Sequence, residues 1–301
     1  MGAVDFTEPP ETRMLAGLIG TGIRRSLTPV MQEAEARHHG IRLHYQLIDL
    51  HEPARAIAML PQVLEAARAM GFAGLNVTYP CKQAVLPYLD ELSPEAAAMG
   101  AVNTVVLRDG RLIGHNTDGS GWRWGFQRAL PEAGLSRVVL LGAGGAGSAI
   151  AHAVLRMGAG ELLIVDPDTS RAGKLAAALN TMYGARSQAV PDAEGALKGA
   201  SGLIHATPTG MDKLPGMPLS ARLLRPDLWV AEIVYFPLET ELLRQARACG
   251  CQVVDGGTMA VGQAIGAFEL LTGRQASPQR MEAHFRQLVA PDKIRAAHEP
   301  A

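Results

Sequence analysis

The chain has 301 residues, of which 48% are hydrophobic and 19% are charged, and its formal net charge is −1. This composition is typical of a globular protein, and the length favours two domains of about 100–200 residues each. The balanced charge provides no field that would attract nucleic acid or an anionic membrane, so we expect neither as a partner.

Cysteine usage and the absence of long apolar segments indicate the cellular setting. The three cysteines, Cys81, Cys249 and Cys251, are too few for a disulfide framework and fit a reducing compartment. No second cysteine pair or histidine cluster completes a zinc site beside Cys249 and Cys251, so we expect no metal. Residues 1–13 lack the apolar stretch of a signal peptide, and the uncharged stretch 138–151 is shorter than the ~20 residues that span a bilayer. We expect a cytoplasmic protein, and the sequence leaves its oligomeric state open.

Short apolar runs alternate with helical patterns, which is typical of βαβ units and a mainly parallel sheet. In the first part of the chain the sequence predicts strands at 14–19, 43–50 and 74–78, helices at 29–38 and 53–70, and a hairpin joining 102–107 to 112–115. Asp109-Gly110 provides the turn of that hairpin. After Asp118 the sequence predicts a helix at 119–130, strands at 137–141, 162–165, 202–205, 228–232 and 252–254, and helices at 260–271 and 278–290.

A glycine-rich turn follows the strand at 137–141. Gly142, Gly144 and Gly147 form a G-x-G-x-x-G pattern between that strand and an apolar helix. In this context Gly142 allows the tight turn, Gly144 lets a pyrophosphate approach the backbone, and Gly147 lets the helix pack on the strand. The N–H groups of the helix N-terminus would bind the phosphates. The candidate cofactor-binding residues of this turn are Gly142, Ala143, Gly144, Gly145, Ala146 and Gly147.

Asp166 is the candidate residue for the adenosine ribose. It ends the next strand, 19 residues after Gly147, where an acid binds the ribose hydroxyls in dinucleotide folds. A carboxylate at this position would repel the 2′-phosphate of NADP, so NAD is favoured. Arg171 follows nearby and could instead stack on adenine or pair with a phosphate.

Three polar signatures lie upstream of the glycine turn. Lys82 closes the run 76–82, a second run covers 100–104, and Asp118 lies in the run 114–119, 36 residues after Lys82. Polar residues at the ends of apolar strands, followed by a nucleotide fold, suggest a small polyol that meets a redox cofactor. The sequence therefore predicts an oxidoreductase.

These motifs together resemble those of the shikimate/quinate dehydrogenase family, and the resemblance extends over about residues 14–290. It is carried by Gly17-Leu18-Ile19-Gly20, Ser26-Leu27-Thr28-Pro29, Asn76-Val77-Thr78-Tyr79-Pro80-Cys81-Lys82, Gly100-Ala101-Val102-Asn103-Thr104, Asn116-Thr117-Asp118, the glycine turn, Ala206-Thr207-Pro208-Thr209-Gly210-Met211, Tyr235 and Gly262-Gln263-Ala264. The resemblance implies a two-domain α/β protein with a cleft between its domains. Residues 1–117, completed by 258–301, would form the substrate domain, and residues 118–257 a Rossmann-like NAD-binding domain.

The resemblance also implies roles for individual residues. The reaction would be reversible hydride transfer between a nicotinamide and the 3-hydroxyl of quinate or shikimate, a polyhydroxy cyclic carboxylate. Lys82 and Asp118 match the catalytic pair. The matching substrate-binding residues are Ser26, Thr28, Thr78, Asn103, Asp118, Tyr235 and Gln263, and those along the nicotinamide half of the cofactor are Thr207, Ile233, Gly256 and Met259.

The physical chemistry of these residue types agrees with such roles. Ser, Thr, Asn and Gln supply uncharged donors and acceptors for ring hydroxyls, and hydroxyl donors can hold a carboxylate. Lys82 has two possible tasks. Free lysine titrates near ~10.4, burial would lower that pKa, and a nearby Asp118 would raise it. Lys82 either accepts the hydroxyl proton or stays charged and orients the hydroxyl.

Several positions depart from the pattern of shikimate-specific members. Thr28 stands where many of these members carry serine, and its methyl reshapes the pocket beside ring carbon 1, which is planar in shikimate and tetrahedral in quinate. Together with Asp166, this resembles NAD-dependent quinate/shikimate dehydrogenases. His205 and Glu232 replace a common asparagine and a frequent aspartate. The alternatives are an NADP-dependent biosynthetic shikimate dehydrogenase and a non-catalytic protein that senses quinate or shikimate.

Overall fold

The computed structural model describes residues 12–290. Two compact units form within this range: residues 12–116 with 267–288 make the first unit, and residues 117–266 with 289–290 make the second. Each unit contains a six-stranded sheet with helices around it, so the predicted α/β class is confirmed. The functional domain boundaries at 117/118 and 257/258 stay a prediction.

The first unit alternates strands and helices in its first half. Its strands are β1 (Thr12–Gly20), β2 (Ile41–Asp49), β3 (Phe72–Val77), β4 (Glu91–Leu92), β5 (Thr104–Arg108) and β6 (Arg111–His115). Its helices are α1 (Thr28–His38), α2 (Pro53–Ala58), α3 (Leu60–Ala69), α4 (Cys81–Ala84) and α5 (Pro94–Met99), with a 3-10 turn at Leu86–Tyr88.

The sheet of the first unit is mixed, with strand order β2-β1-β3-β5-β6-β4. β1 runs parallel to β2 and β3, whereas β5 runs antiparallel to both β3 and β6. Asp109 and Gly110 join β5 to β6 with φ values of 51° and 74°, the left-handed pair that a two-residue hairpin turn requires. The hairpin prediction is confirmed.

The prediction of one helix at 53–70 was wrong, because the structure has two helices there. α2 ends at Ala58, and α3 begins at Leu60 with Pro61 in its first turn. Proline has no N–H to continue the hydrogen-bond ladder from the preceding turn, so the chain ends one helix and starts another. The sequence patterns also missed α4, α5 and β4, which span two to six residues each and are too short for a periodic signal.

The second unit begins with α6 (Asp118–Ala129). Its remaining elements are β7 (Arg137–Leu141), α7 (Gly145–Arg156), β8 (Glu161–Val165), α8 (Thr169–Tyr183), β9 (Ser187–Ala189), α9 (Ala193–Ala196), β10 (Gly202–His205), a 3-10 turn at Ala221–Leu223, β11 (Trp229–Glu232), α10 (Glu241–Ala248) and β12 (Gln252–Val254). Two further helices are α11 (Gly256–Thr272), which has residues in both units, and α12 (Pro278–Leu288), which belongs to the first unit.

Every strand of the second sheet is parallel to its neighbours, in the order β12-β11-β10-β7-β8-β9. This is the doubly wound order of a Rossmann fold, and it confirms the prediction for this part of the chain. The chain order reverses between β7 and β10. In open parallel sheets a ligand binds outside the carboxyl ends of the strands at that switch point. Within residues 12–290, no helix has the length and apolar character that crossing a bilayer requires.

A buried acid connects α12 to α1 within the first unit. The Glu35 carboxylate has 1% of its side chain exposed and accepts hydrogen bonds from Arg280 at 2.5 and 2.7 Å and from the Ser277 N–H at 2.8 Å. His39 contacts the same carboxylate at 3.2 Å. Desolvation raises the pKa of Glu35, but the bonds from Arg280, Ser277 and His39 outweigh it and leave this pKa below its ordinary value. Glu35 therefore stabilises the first unit in its charged form.

We expect Glu35→Gln to remove a pH-dependent part of the stability. Because folding lowers the pKa, this stabilisation is complete above the unfolded value of ~4.3 and is lost as the pH falls through the folded value. At pH 7 the variant should be less stable by about 1–3 kcal/mol, with a deficit that shrinks toward pH 3. Urea unfolding at pH 7, 5, 4 and 3 measures the difference. Glu194→Gln breaks the exposed pair with Arg222 and should change stability by less than ~1 kcal/mol. A Glu35→Gln deficit that is the same at pH 7 and pH 3 would contradict the linkage.

Candidate active site

A cleft of about 650 Å³ lies at the carboxyl ends of β7, β8 and β10, in the second unit. Its volume is within the usual range for a small-molecule site. It lies at the switch point of the sheet, where the Rossmann topology predicts a dinucleotide. We call it the nucleotide cleft, and its lining residues include Leu141, Gly142, Gly144, Val165, Asp166, Asp168, Arg171, Ala206, Thr207, Pro208 and Thr209.

The glycine turn forms one wall of the nucleotide cleft. Gly142 has a φ of +100°, and a Cβ there would lie 2.7 Å from the Ala206 carbonyl oxygen. A Cβ on Gly147 would lie only 1.9 Å from the Gly142 carbonyl oxygen. Glycine is therefore needed at 142 for backbone conformation and packing, and at 147 for packing alone.

Gly144 and Gly145 have a different environment, because a Cβ added to either meets no atom within 4 Å. Gly144 has a φ of −74°, which any residue can adopt. The protein's own packing does not require glycine here, and the open space suits a ligand that approaches the backbone. Gly144 also caps the 12-residue helix α7 without a side-chain hydrogen bond, so the first N–H groups of α7 can bind phosphate oxygens. These residues fit a dinucleotide pyrophosphate.

Asp166 is buried at the end of β8 and contacts the glycine turn. Its Oδ2 accepts the Ala143 N–H at 2.7 Å, and its Oδ1 accepts the Asp168 N–H at 2.9 Å. A carboxylate offers about four lone-pair sites, so these two bonds leave capacity for ribose hydroxyls. Asp166 thus has a structural task that the sequence pattern does not reveal.

Arg171 lies beside two carboxylates at the start of α8. Its Nη1 is 3.9 Å from Asp166 Oδ2, and its Nη2 is 3.3 Å from Asp168 Oδ2. Asp168 caps α8 by accepting the Arg171 N–H at 3.0 Å. That backbone bond and the nearby guanidinium hold the pKa of Asp168 below its usual range. This end of the nucleotide cleft therefore carries two carboxylates and one guanidinium.

Of the residues predicted for the nicotinamide half, Thr207 and Ile233 follow β10 and β11, and Gly256 and Met259 lie at the start of α11. The Thr207 methyl is 3.1 Å from the position that a Cβ would take on Gly142. A Cβ on Gly256 would lie 2.4 Å from the Ile233 carbonyl oxygen, so the start of α11 packs directly on the backbone after β11. Met259 is 7% exposed and packs in the hydrophobic core of this unit. The structure thus brings Thr207 to the glycine turn and Ile233 to Gly256.

In the first unit, the predicted substrate residues gather at one edge of the mixed sheet. Gly20 ends β1, and a Cβ there would lie 2.4 Å from the Thr78 methyl, so the ends of β1 and β3 lie side by side. The Asn103 carbonyl accepts the Val77 N–H at 2.8 Å, which places the start of β5 at the same edge. The Lys82 carbonyl accepts the Val102 N–H at 2.8 Å. These backbone contacts therefore bring the segments that contain Thr78, Lys82 and Asn103 together.

The loop after β1 carries Ser26 and Thr28. Ser26 Oγ donates to Thr28 Oγ1 at 3.1 Å and accepts the Thr28 N–H at 3.3 Å. The two hydroxyls are adjacent at the start of α1. Because Thr28 accepts from Ser26, the hydrogen of its own hydroxyl can point toward a ligand oxygen.

A buried chain of side chains orients Asn103. The Tyr45 hydroxyl donates to Asn76 Oδ1 at 2.6 Å, Asn76 Nδ2 donates to Thr104 Oγ1 at 2.9 Å, and the Thr104 hydroxyl donates to Asn103 Oδ1 at 3.0 Å. Burial raises the pKa of Tyr45 well above its usual value, so its hydroxyl keeps its proton and remains a donor. The sequence patterns gave Tyr45, Asn76 and Thr104 no positioning role. The sequence feature that could have identified these three residues is the presence of a polar side chain within an otherwise apolar strand.

Asp118, Gln263 and Tyr235 belong to the second unit. Asp118 is 1% exposed in the first turn of α6. A Cβ on Gly121 would lie 2.3 Å from the Gln263 N, and Thr117 Oγ1 donates to the Gln263 carbonyl at 3.1 Å. Glycine at 121 thus lets α6 approach α11 and brings the backbones near Asp118 and Gln263 together. Tyr235 follows β11, and desolvation raises the pKa of its hydroxyl. Lys82, in contrast, belongs to the first unit.

Comparison with known proteins supports the relationship that the motifs suggest. The family model described as the shikimate dehydrogenase substrate binding domain matches residues 18–105. A ThiF family model matches residues 125–172, which contain the glycine turn. Shikimate dehydrogenase (NADP(+)) of Streptomyces avermitilis is 53% identical over 284 residues, which are 93% of this chain and 98% of that protein. The chain belongs to the shikimate dehydrogenase family.

Further members of the family differ in their named cofactor. Quinate/shikimate dehydrogenase (NAD(+)) of Corynebacterium efficiens is 46% identical, over 91% of this chain and 98% of that protein. The structure of quinate dehydrogenase from Corynebacterium glutamicum in complex with NAD has a TM-score of 0.87 and 43% identity, and the match covers 92% of this chain and all of that one. Shikimate 5-dehydrogenase from Listeria monocytogenes, in complex with shikimate and NAD, has a TM-score of 0.83 and 31% identity, covering 93% of this chain and 99% of that one. The predicted family is confirmed, and both cofactor classes occur among these relatives.

The glycine turn provides a matched pair of substitutions. Gly144→Ala should leave stability nearly unchanged but weaken NADH binding about 10-fold, because the new Cβ occupies the space left for the pyrophosphate. Gly147→Ala should lower the free energy of unfolding by about 1–3 kcal/mol, because its Cβ meets the Gly142 carbonyl oxygen. NADH fluorescence titration and urea unfolding measure the two effects.

Gly173→Ala serves as the control, since a Cβ there also meets open space but lies within α8. It should leave NADH binding unchanged and increase stability slightly, because alanine is the better helix former. Equal loss of NADH binding in Gly144→Ala and Gly173→Ala would contradict a pyrophosphate site at the turn.

Proposed function

We propose that this protein is an NAD-dependent quinate/shikimate dehydrogenase. It would oxidise the 3-hydroxyl of quinate or shikimate to the 3-dehydro ketone and catalyse the reverse reduction. The observation that carries the proposal is the nucleotide cleft at the switch point of the second sheet, in a chain whose polar signatures gather at one edge of the first sheet. Family membership, with relatives named for this reaction, supports it.

The bound nicotinamide would supply the hydride acceptor. The C–H bond at ring carbon 3 breaks and its hydride leaves with both electrons, while the hydroxyl loses a proton as the C=O bond forms. The products are a ketone, the reduced cofactor and one proton. The protein therefore has to orient the hydroxyl, give its proton a path and exclude water.

Lys82 and Asp118 are the residues proposed to take part in removing the proton of the substrate hydroxyl. Lys82 is partly exposed in the short helix α4, where its own carbonyl is bound by the Val102 N–H. Asp118 is buried at the start of a helix, where the positive end of the dipole favours its negative charge. Either Lys82 accepts the hydroxyl proton, or it stays charged and orients the hydroxyl while Asp118 or water takes the proton.

The proposed substrate contacts use groups that are already oriented. Ser26 and Thr28 would hold the carboxylate with the adjacent hydroxyls at the start of α1. Asn103, fixed by Thr104 and the chain behind it, would bind a ring hydroxyl together with Thr78. Tyr235 and Gln263 complete the proposed set. The Thr28 methyl supports quinate, because it reshapes the pocket beside ring carbon 1, which is tetrahedral in quinate.

The preference for NAD is supported by the charges at the ribose end. The 2′-phosphate of NADP would approach the buried Asp166 and the nearby Asp168, whereas the ribose hydroxyls of NAD could donate to Asp166. Arg171 already lies beside both acids, which reduces its capacity to compensate the phosphate. A shikimate dehydrogenase that uses NADP is the second candidate, because a relative 53% identical carries that name.

A two-by-two rate assay tests the function and the cofactor together. Quinate and shikimate are each combined with NAD and with NADP at one mildly alkaline pH. We expect turnover of quinate with NAD and little with NADP. Turnover of shikimate with NADP alone would favour the second candidate, and no turnover in any combination would reject a dehydrogenase.

Replacing Asp166 tests the charge argument directly. In Asp166→Asn we expect the ratio of kcat/KM for NAD to that for NADP to fall about 10-fold or more, because the repulsion of the 2′-phosphate is removed. Asp227→Asn, at a surface carboxylate paired with Arg225, is the control and should leave the ratio unchanged. An unchanged ratio in both variants would reject Asp166 as the selecting residue.

Lys82→Met should lower kcat by about 10²–10⁴ while NADH binding stays within about 2-fold, because in either proposed role the side chain acts on the substrate hydroxyl and not on the cofactor. Lys198→Met is the matched control, since the Lys198 side chain is exposed and the hydrogen bond that this residue accepts from Arg137 goes to its backbone carbonyl. Steady-state rates with quinate and NAD, and NADH titration, provide both readouts. A kcat equal to that of the unsubstituted enzyme would remove Lys82 from the proposed catalytic pair.

A further inference from the structure

Two buried polar residues end neighbouring strands of the second sheet and have no part in the proposed reaction. His205 is the last residue of β10 and Glu232 is the last residue of β11, and the two are register partners. Their exposed fractions are 0% and 1%. A buried polar pair costs desolvation free energy, which its hydrogen bonds have to offset. The partners of this pair therefore show what it holds in place.

Glu232 binds the backbone that follows its own strand. Its Oε1 accepts the N–H groups of Ile233 at 2.9 Å and Val234 at 3.0 Å. Its Oε2 accepts the hydroxyl of Thr240 at 3.1 Å, and that same hydroxyl oxygen caps α10 through the Leu243 N–H. Glu232 thus connects the loop after β11 to the start of α10.

The same carboxylate determines which nitrogen of His205 carries a hydrogen. His205 Nδ1 lies 2.9 and 3.0 Å from the two oxygens of Glu232. Because these oxygens act as acceptors toward every other partner described above, Nδ1 is the donor. In the neutral ring the other nitrogen, Nε2, is then an acceptor.

Thr207 completes the chain of hydrogen bonds. Its Oγ1 lies 2.6 Å from His205 Nε2, to which the hydroxyl donates when the ring is neutral, and the same Oγ1 accepts the Thr209 N–H at 3.3 Å. The hydroxyl is therefore turned into the protein, while the methyl faces Gly142. Both Thr207 and Thr209 line the nucleotide cleft, which neither His205 nor Glu232 lines.

We propose that Glu232 and His205 form a positioning pair for the nicotinamide half of the cofactor. One carboxylate fixes the backbone at 233–234 directly and the turn at 206–209 through His205 and Thr207. Thr207 then presents its methyl, and not its hydroxyl, to the cofactor. This inference rests on the proposed function, because it takes a nicotinamide dinucleotide as the ligand of the cleft.

The test compares two ligands that differ in the nicotinamide. NADH contains it, whereas ADP-ribose has only the adenosine, the pyrophosphate and the second ribose. In His205→Ala we expect the Kd for NADH to rise about 10-fold and the Kd for ADP-ribose to stay within about 2-fold. Glu232→Gln, which keeps the side-chain size, should show the same pattern with a smaller change. Calorimetric titration of the purified full-length chain measures both values.

His152→Ala is the matched control for loss of a buried histidine. His152 is 2% exposed in the same unit and is hydrogen-bonded to Tyr183 at 3.0 Å. It should lower thermal stability without selective loss of NADH. If His205→Ala and Glu232→Gln weaken NADH and ADP-ribose equally, or neither ligand, the pair is structural only and the proposal is overturned.

A double-substitution cycle with Thr207→Val tests whether His205 acts through Thr207. If it does, the combined loss of NADH affinity in His205→Ala/Thr207→Val should be smaller than the product of the two single losses. Losses that multiply fully would reject this connection. Failure of the unsubstituted protein to bind NADH would instead reject the proposed function, so the two failures are distinguishable.

Discussion

The arrangement of the nucleotide cleft in the second unit depends on one contact, the close approach of Gly147 to the Gly142 carbonyl oxygen. A Cβ at 147 would lie 1.9 Å from that oxygen, so α7 can begin directly over the end of β7 only if residue 147 is glycine. Residue 142 also has to be glycine, because its φ is +100°. This contact aims the start of α7 at the space beside Gly144, and it brings the turn against Ala206 and Thr207 at the end of β10. The Asp166 carboxylate then holds the turn from the other side through the Ala143 N–H. The nucleotide cleft follows from these few contacts.

In the first unit, too, a glycine allows two chain segments to approach closely, but the groups brought together there are polar side chains instead of backbone N–H groups. Gly20 leaves room for the Thr78 side chain, so two parallel strands can end side by side and direct their following loops to one edge. The antiparallel strand β5 starts at that edge, next to Val77. Polar groups that would be costly inside the sheet are therefore collected where the strands end. Tyr45, Asn76 and Thr104 are the exceptions, because they lie within β2, β3 and β5 and form the buried chain of hydrogen bonds that orients Asn103.

Most of the architecture could be predicted from the sequence because it depends on patterns with a clear period or a special residue. The Rossmann strands are apolar runs, the hairpin has Asp109-Gly110, and the glycine turn has its spacing. The break between α2 and α3 was missed, although Pro61 is a local signal, because the apolar spacing continues across it. The hydrogen-bond chains could not be predicted, because Glu35 meets Arg280 across 245 residues and His205 meets Glu232 across 27. Such pairings depend on strand register and helix packing, which one sequence does not specify.

The backbone hydrogen bonds of Asp166 limit which side chains can occupy this position. The residue accepts two backbone N–H groups, from Ala143 and Asp168, so an apolar side chain in its place would leave the buried Ala143 N–H unpaired. An amide oxygen at this position could still accept one of these bonds while the negative charge of the side chain is removed. Substitution at this position is therefore limited to side chains that keep an acceptor beside Ala143.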